Sequence, residues 1–299
     1  PRPVDFHIEG MKKLGAKIDL EDGYIIAKSN RLVGNKIVLP KISVGATGNI
    51  LMASVLAKGD TEIHNAAAEP EIQQLCHFLN SMGAKISDIG TNTIKIQGVD
   101  SLNNIDSVSV IPDRIEAGTF LIAVAATGGE VKLNNVNPMH SETVISHLKK
   151  ANINLTVHDN SIVVSSDGKD INACNMETNE YPGFPTDLQA QWMLLMSLAS
   201  EDSNIKENIY FDRFNHVLEL NRLGCNVRVE KESAFIKGKR NLVSADVMST
   251  DIRASASLII AALCAEGRST ISRIYHIDRG YDKIEEKLSK IGAKIVRKK

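Results

Sequence analysis

Segments of one shape recur along this chain, and nothing else in the sequence narrows the possible folds as much. Each begins with a polar, helix-capping stretch and runs into a helix of small apolar residues. A Gly or acidic turn and a short strand follow. Copies run from Ser43-Val44-Gly45-Ala46-Thr47 to Ala57-Lys58-Gly59-Asp60 and from Asp113-Arg114-Ile115-Glu116 to Gly128-Gly129. Two more run from Thr186-Asp187-Leu188-Gln189 to Ser200-Glu201-Asp202 and from Asp251-Ile252-Arg253-Ala254 to Ala265-Glu266-Gly267. A second mark alternates with them: Leu14-Gly15-Ala16, Met82-Gly83-Ala84, Lys150-Ala151-Asn152-Ile153, Leu223-Gly224-Cys225 and Ile291-Gly292-Ala293. A recurrent period predicts a fold built by repetition, entered partway through a unit at Pro1.

The helices opened by the polar stretches are apolar nearly all round, as in 50–57 and 120–126, which predicts burial on every side. Those ahead of the Gly-Ala marks, 71–82, 142–150, 217–223 and 282–291, carry a charged face. Short alternating strands are expected at 61–64, 130–133 and 270–273, and hairpins around 93–96 and 161–164. One unit thus reads strand–helix–strand–helix–strand–strand. Buried helices shared among units put helices inside and sheets outside, the reverse of an ordinary α/β arrangement.

With 299 residues the chain can hold two domains. A net charge of −1 gives no excess for binding a polyanion, so a nucleic-acid role is disfavoured. The longest apolar runs, such as 257–264, are too short to span a bilayer, and no signal peptide opens the chain. Cys76, Cys174, Cys225 and Cys264 form no C-x-x-C pair and have no His at metal-ligand spacing. Cys225 and Cys264 read as small core residues, and a reduced, cytoplasmic setting is the simplest reading.

Most charges read as solvated faces, among them Lys12-Lys13, Lys149-Lys150 and Glu285-Glu286-Lys287. Others break local rules. Arg2-Pro3-Val4-Asp5 places an arginine and a carboxylate on a stretch stiffened by two prolines. Lys41-Ile42-Ser43-Val44-Gly45 leads a Ser cap into a buried helix, whose first N–H groups suit a phosphate. Glu69-Pro70-Glu71 reads as helix initiation. Asp113, Asp187 and Asp251 fall at equivalent points of the repeat, where capping is the plain reading and a shared architectural helix start is expected. Asp187 stands out because Pro182-Gly183-Phe184-Pro185 presents it with little freedom, as a general base must be held. Asp212-Arg213-Phe214 and the stretch from Arg273 to Arg279 follow strands. Guanidinium forks match carboxylate and phosphate oxygens, so these arginines could converge on one anionic small molecule.

At these stretches the chain resembles the enolpyruvyl transferases, and within them the family of UDP-N-acetylglucosamine 1-carboxyvinyltransferases. The resemblance rests on Arg2 to Asp5, Ser43 to Thr47, Asn65 to Ala67 with Glu69 to Glu71, Pro112 to Glu116, Pro182 to Gln191, Asp251 to Ser257 and Tyr275 to Tyr281, in the family's order. It implies an α/β fold: a two-domain inside-out α/β barrel of βαβαββ units, helices inside and sheets outside. Residues 1–111 would be the remainder of the catalytic-loop domain, its first unit cut, and 112–299 a second domain of three units. It implies transfer of enolpyruvate from phosphoenolpyruvate to the 3′-hydroxyl of UDP-N-acetylglucosamine by addition and elimination. That reaction belongs to cytoplasmic peptidoglycan synthesis and needs no metal or organic cofactor, nucleic acid or membrane. Asp187 resembles the base for the sugar hydroxyl, and Arg2 and Arg279 resemble arginines around phosphoenolpyruvate. Arg213, Asp251 and Arg253 resemble further cleft residues, the first and last helping domain closure. Arg2, Pro3, Val4, Asp5, Phe6, Lys41, Ile42, Ser43, Val44, Gly45, Asp187 and Ile209 resemble the nucleotide-sugar contacts.

The family's N-terminal lysine–asparagine pair, an upstream arginine and a mobile-loop Cys or Asp all precede the position of Arg2, and none of the four cysteines here matches that loop. The missing N-terminal segment is therefore an expected partner, and the 299 residues alone are expected to be inactive. A rival is the transferase acting on shikimate 3-phosphate, but the Pro-Gly-Phe-Pro-Thr-Asp turn and Arg-Pro-Val-Asp favour the nucleotide sugar. A non-catalytic fragment or a structural repeat protein are readings from other classes. The intact Asp187 and the arginines at helix mouths weigh against both.

Overall fold

A computed structural model describes residues 4–210, 212–239 and 241–298. The chain forms two compact units, Pro1–Ile111 and Pro112–Lys299. In the first, α1 (Asp5–Lys13) precedes the hairpin of β1 (Lys17–Glu21) and β2 (Tyr24–Lys28). Then come β3 (Lys36–Val38), α2 (Val44–Val55), β4 (Asp60–His64), α3 (Pro70–Ser81), β5 (Lys85–Ser87) and β6 (Thr93–Gln97). The last four strands form a sheet in the order β3-β4-β6-β5. Helix α2 links the parallel pair β3 and β4, while β6 runs antiparallel to both β4 and β5. Ala46, Ile50, Leu51 and Val55 of α2 pack with Ile63, Ile94 and Ile96 of the sheet. A Cβ on Gly10 would lie 2.3 Å from Ile50 Cδ1, so a glycine is what lets α1 approach α2 this closely.

The second unit holds α4 (Arg114–Thr127), β7 (Gly129–Asn134), α5 (Glu142–Lys150), β8 (Asn154–His158) and β9 (Ser161–Ser166). It continues with β10 (Met176–Glu177), α6 (Gln189–Leu198), β11 (Ser203–Lys206), α7 (Val217–Arg222), β12 (Val227–Glu230) and β13 (Ser233–Ile236). It ends with β14 (Asp246–Met248), α8 (Ile252–Cys264), β15 (Thr270–Ser272) and α9 (Ile284–Lys290). The order β10-β11-β13-β12 reproduces that of the first unit's sheet. Among the described residues, β7-β9-β8 lacks the first strand of that pattern, and β14-β15 contains only its parallel pair. Helices α4, α6 and α8 pack against one another and are buried almost throughout. In the second unit these helices therefore lie inside and the sheets outside, as expected; in the first, the stretch 50–57 is not buried on every side, because the Met52 and Leu56 face of α2 is exposed. The sheets are separate ladders of two to four strands, not one closed barrel.

Each Gly-Ala mark is the stop of the helix before it. Gly15, Gly83, Gly224 and Gly292 have φ of 92°, 98°, 98° and 104°. The N–H groups of Gly83 and Ala84 turn back to the Asn80 and Leu79 carbonyls, a Schellman-type termination. In the fifth copy Asn152 takes the position with φ 67°, and the Asn152 and Ile153 N–H groups donate to Lys149 and Leu148. Asparagine is the side chain that best tolerates this backbone after glycine. The last expected strand and helix are shorter than the pattern suggested, because Arg273 (φ 57°) and Lys283 (φ 47°) are also left-handed and interrupt them.

Candidate active site

Asp187 is delivered by a turn with almost no slack. The Tyr181–Pro182 bond is cis, and a Cβ on Gly183 would meet Asn179 Cβ at 2.5 Å and the Glu180 carbonyl oxygen at 2.8 Å. Phe184 is buried edge-on to the His147 and Trp192 rings, at centroid distances of 5.1 and 5.5 Å. The Thr143 hydroxyl donates to the Pro182 carbonyl. Pro185 then starts a short 3₁₀ turn, Thr186–Leu188, that runs into α6.

The expected equivalence of Asp113, Asp187 and Asp251 fails here. Asp113 Oδ1 caps α4 by accepting from the Ile115 and Glu116 N–H groups at 2.8 and 3.0 Å, and Asp251 Oδ1 caps α8 through Arg253 and Ala254 at the same distances. Asp187 caps nothing. It sits inside the 3₁₀ turn, because Pro185 occupies the cap position and offers no side-chain acceptor. Its carboxylate instead receives Arg213 Nη2 at 2.6 Å on Oδ1 and Arg253 Nη2 at 2.8 Å on Oδ2. Burial by itself would raise the Asp187 pKa and is the largest single influence. The two guanidiniums together outweigh it and hold the carboxyl below its ordinary value.

The arginines are anchored in turn. Arg213 Nη1 donates to the Thr186 hydroxyl at 3.1 Å, and Arg253 Nη1 reaches the Tyr281 hydroxyl at 3.3 Å. Tyr281, 1% exposed, lies 2.8 Å from the Thr119 hydroxyl of α4, and Gln191 of α6 donates to Thr119 at 3.1 Å. The N-terminal halves of α4, α6 and α8 are thus tied together next to Asp187. Arg279 is exposed at the end of the 3₁₀ turn Ile274–Arg279 and has no ion pair among the described residues. Ile209 is half-buried, and its N–H donates to Glu207 Oε1 at 3.0 Å. Sequence reasoning passed over Thr119, Gln191 and Glu207. Each is one polar residue in an apolar or irregular stretch, with no local signal of its partners.

In the first unit the two segments expected to contact the nucleotide sugar come together. His7 of α1 is 2.7 Å from the Asn49 amide of α2 and would lie 3.3 Å from a Gly45 Cβ. The starts of α1, which carries Asp5 and Phe6 after Val4, and of α2 are therefore neighbours. Ser43 Oγ accepts from the Ala46 N–H at 3.3 Å and the Ser43 carbonyl from Thr47. The Val44 and Gly45 N–H groups precede the first helical bond and are available to an anion. Lys41 beside them is exposed and Ile42 half-buried. Arg2 and Pro3 lie outside the described residues. Glu69-Pro70-Glu71 starts α3, with Pro70 in its first turn, as read. No group of three His, Cys, Asp or Glu among the described residues is arranged to hold a metal, and no described helix is long and apolar enough to cross a membrane.

The family model described as EPSP synthase (3-phosphoshikimate 1-carboxyvinyltransferase) matches residues 1–288. The chain is 52% identical over 299 residues to the UDP-N-acetylglucosamine 1-carboxyvinyltransferase of Chloroherpeton thalassium, covering 99% of this chain and 69% of that protein. It is 48% identical over 301 residues to the protein of the same name from Chlorobium luteolum, covering 100% and 70%. Among solved structures, the enolpyruvyl transferase NikO from Streptomyces tendae matches with a TM-score of 0.89 at 24% identity, over 98% of this chain and 72% of that one. EPSP synthase from Acinetobacter baumannii matches with a TM-score of 0.74 at 20% identity, over 100% and 72%. These two share the fold.

Proposed function

The chain belongs to the family of UDP-N-acetylglucosamine 1-carboxyvinyltransferases, within the EPSP synthase-like enolpyruvyl transferases, and from that premise we propose that its Asp187 cluster serves enolpyruvyl transfer in the cytoplasmic synthesis of peptidoglycan. The substrates are phosphoenolpyruvate and UDP-N-acetylglucosamine. In the addition step the sugar 3′-hydroxyl oxygen bonds to C2 of the enolpyruvyl group, C3 takes a proton from a general acid, a role that falls to the loop Cys or Asp which in this family precedes the position of Arg2, and the hydroxyl proton passes to Asp187. In the elimination step a base takes a proton from C3, the C2–O bond to phosphate breaks, and the double bond is restored as phosphate leaves.

The observation that carries this reading is the carboxylate of Asp187 held on a rigid turn between two guanidiniums. Paired in this way it is ionised but weakly basic. Moving Arg213 or Arg253 onto the carboxylate or phosphate of phosphoenolpyruvate would raise the proton affinity of Asp187 when the hydroxyl must be deprotonated. Arg279 supplies a further fork for the same anion, and the Val44 and Gly45 amides with Lys41 offer a site for the anionic nucleotide sugar. Thermal unfolding with each ligand tests the substrate. UDP-N-acetylglucosamine is expected to raise the melting temperature progressively with concentration, and shikimate 3-phosphate to leave it unchanged. The opposite pattern would overturn the assignment.

A further inference from the structure

Glu207, at the end of β11, is fully buried, and among the described residues no cation pairs with it. It is held by donors alone. Oε1 accepts from the Thr178 hydroxyl at 2.7 Å and from the Ile209 and Tyr210 N–H groups at 3.0 Å each, and Oε2 accepts from the Thr186 hydroxyl at 2.9 Å. An enclosed carboxylate with no cation is an expensive way to build a core. What it provides is acceptor capacity on both oxygens, which no apolar residue or amide supplies. Its four donors belong to three segments: the strand end before the rigid turn, the residue next to Asp187, and the backbone at Ile209.

We infer that Glu207 is a positioning residue of the site: it sets Asp187, through Thr186, and the Ile209 backbone in one fixed relation. Thr186 is the hinge of this arrangement. Its hydroxyl proton goes to Glu207, which turns its lone pairs toward Arg213 Nη1, and the same arginine grips Asp187. The inference rests on the proposed roles of Asp187 and Ile209 toward the nucleotide sugar.

Glu207→Gln isolates one arm. The amide oxygen stays on the side of the Ile209 and Tyr210 N–H groups, because an NH₂ there would oppose two donors. The amide nitrogen then faces Thr186 and removes its acceptor. Binding of UDP-N-acetylglucosamine to the 299-residue chain is measured by calorimetry for Glu207→Gln, Asp187→Asn and the double variant. Each single change is expected to weaken binding about tenfold, and the double change no more than the weaker single, since both act at one carboxylate. Thr186→Val is expected to match Glu207→Gln. Ser197→Ala, which removes a buried hydroxyl that donates to the Met193 carbonyl within α6, is expected to leave the affinity unchanged. Additive losses in the double variant, or Thr186→Val binding like the parent, would overturn the positioning role while leaving Asp187 in the site. An Asp187→Asn variant that binds like the parent would take down the reading of Asp187 and this inference with it.

Discussion

Arg253 joins two groups that no stretch of sequence brings together: its Nη2 donates to Asp187 Oδ2 at 2.8 Å while its Nη1 donates to the Tyr281 hydroxyl at 3.3 Å. Only a planar fork can do both, and a lysine offers a single point of charge. Arg253→Lys is therefore expected to lower stability by about 1–2 kcal/mol in urea unfolding at neutral pH. Arg228→Lys, on an exposed arginine over Phe235, is expected to change little. Equal losses in the two variants would mean that the fork is not used.

Acid should weaken the second unit in two separate windows. Burial pushes His216 from 6.5 down to about 4, although the Asp251 charge acts the other way. Between those values the unfolded chain takes up a proton that the native chain refuses. Stability thus falls as pH drops from 6.5 towards 4, by at most about 1.4 kcal/mol per pH unit. The folded Asp187 lies below its ordinary 3.8, so its contribution is present above that pH and is lost as pH falls through the folded value. Urea midpoints from pH 7 to 3 should flatten in the upper window for His216→Asn and not for Asp187→Asn. An unchanged slope in the histidine variant would be the contrary result.

Gly118 of α4 faces the residue after Asp187. A Cβ there would lie 2.4 Å from Leu188 Cδ1, in a fully packed core. Gly118→Ala is expected to destabilise the chain by about 1–3 kcal/mol through overpacking and, by displacing the Asp187 turn, to weaken nucleotide-sugar binding. A variant as stable and as avid as the parent would show that Leu188 gives way freely.

The thiols should behave as core side chains. Burial pushes Cys76 up to about 11 and Cys264 to about 12, and raises Cys174 as well. Alkylation by iodoacetamide at pH 8 is expected to be slow for Cys76 and Cys264 in the native chain and fast in urea, followed by peptide mass analysis. Rapid native labelling of Cys76, fully buried in α3, would be the contrary result.

The repeat was legible because its signals are local. A glycine in the left-handed region stops a helix wherever it falls, and α4, α6 and α8 announce their burial by lacking a charged face, whereas α2 has the same pattern and leaves Met52 and Leu56 exposed. Asn152 was harder to place, since the same backbone is held by a different side chain. Asp187 was legible from its rigid turn, yet its grouping with Asp113 and Asp251 was misleading. Their similar place in the repeat conceals that Pro185 removes the cap and leaves the Asp187 carboxylate to Arg213 and Arg253. Glu207, Thr119 and Gln191 left no trace in the pattern, because their value lies in partners 21 to 162 residues away.

The separateness of the sheets has a consequence for how the second unit comes apart. Each ladder is assembled from strands of one stretch of chain, 129–166, 176–236 or 246–272, and among the described residues no ladder joins one stretch to another. Long-range cohesion falls to the side chains where α4, α6 and α8 meet. Backbone amides in the ladders report local opening, whereas the cooperativity of the whole unit is decided by three buried helix faces. A loop insertion between ladders should be absorbed by one repeat. A single added methylene on those faces would be felt by all three.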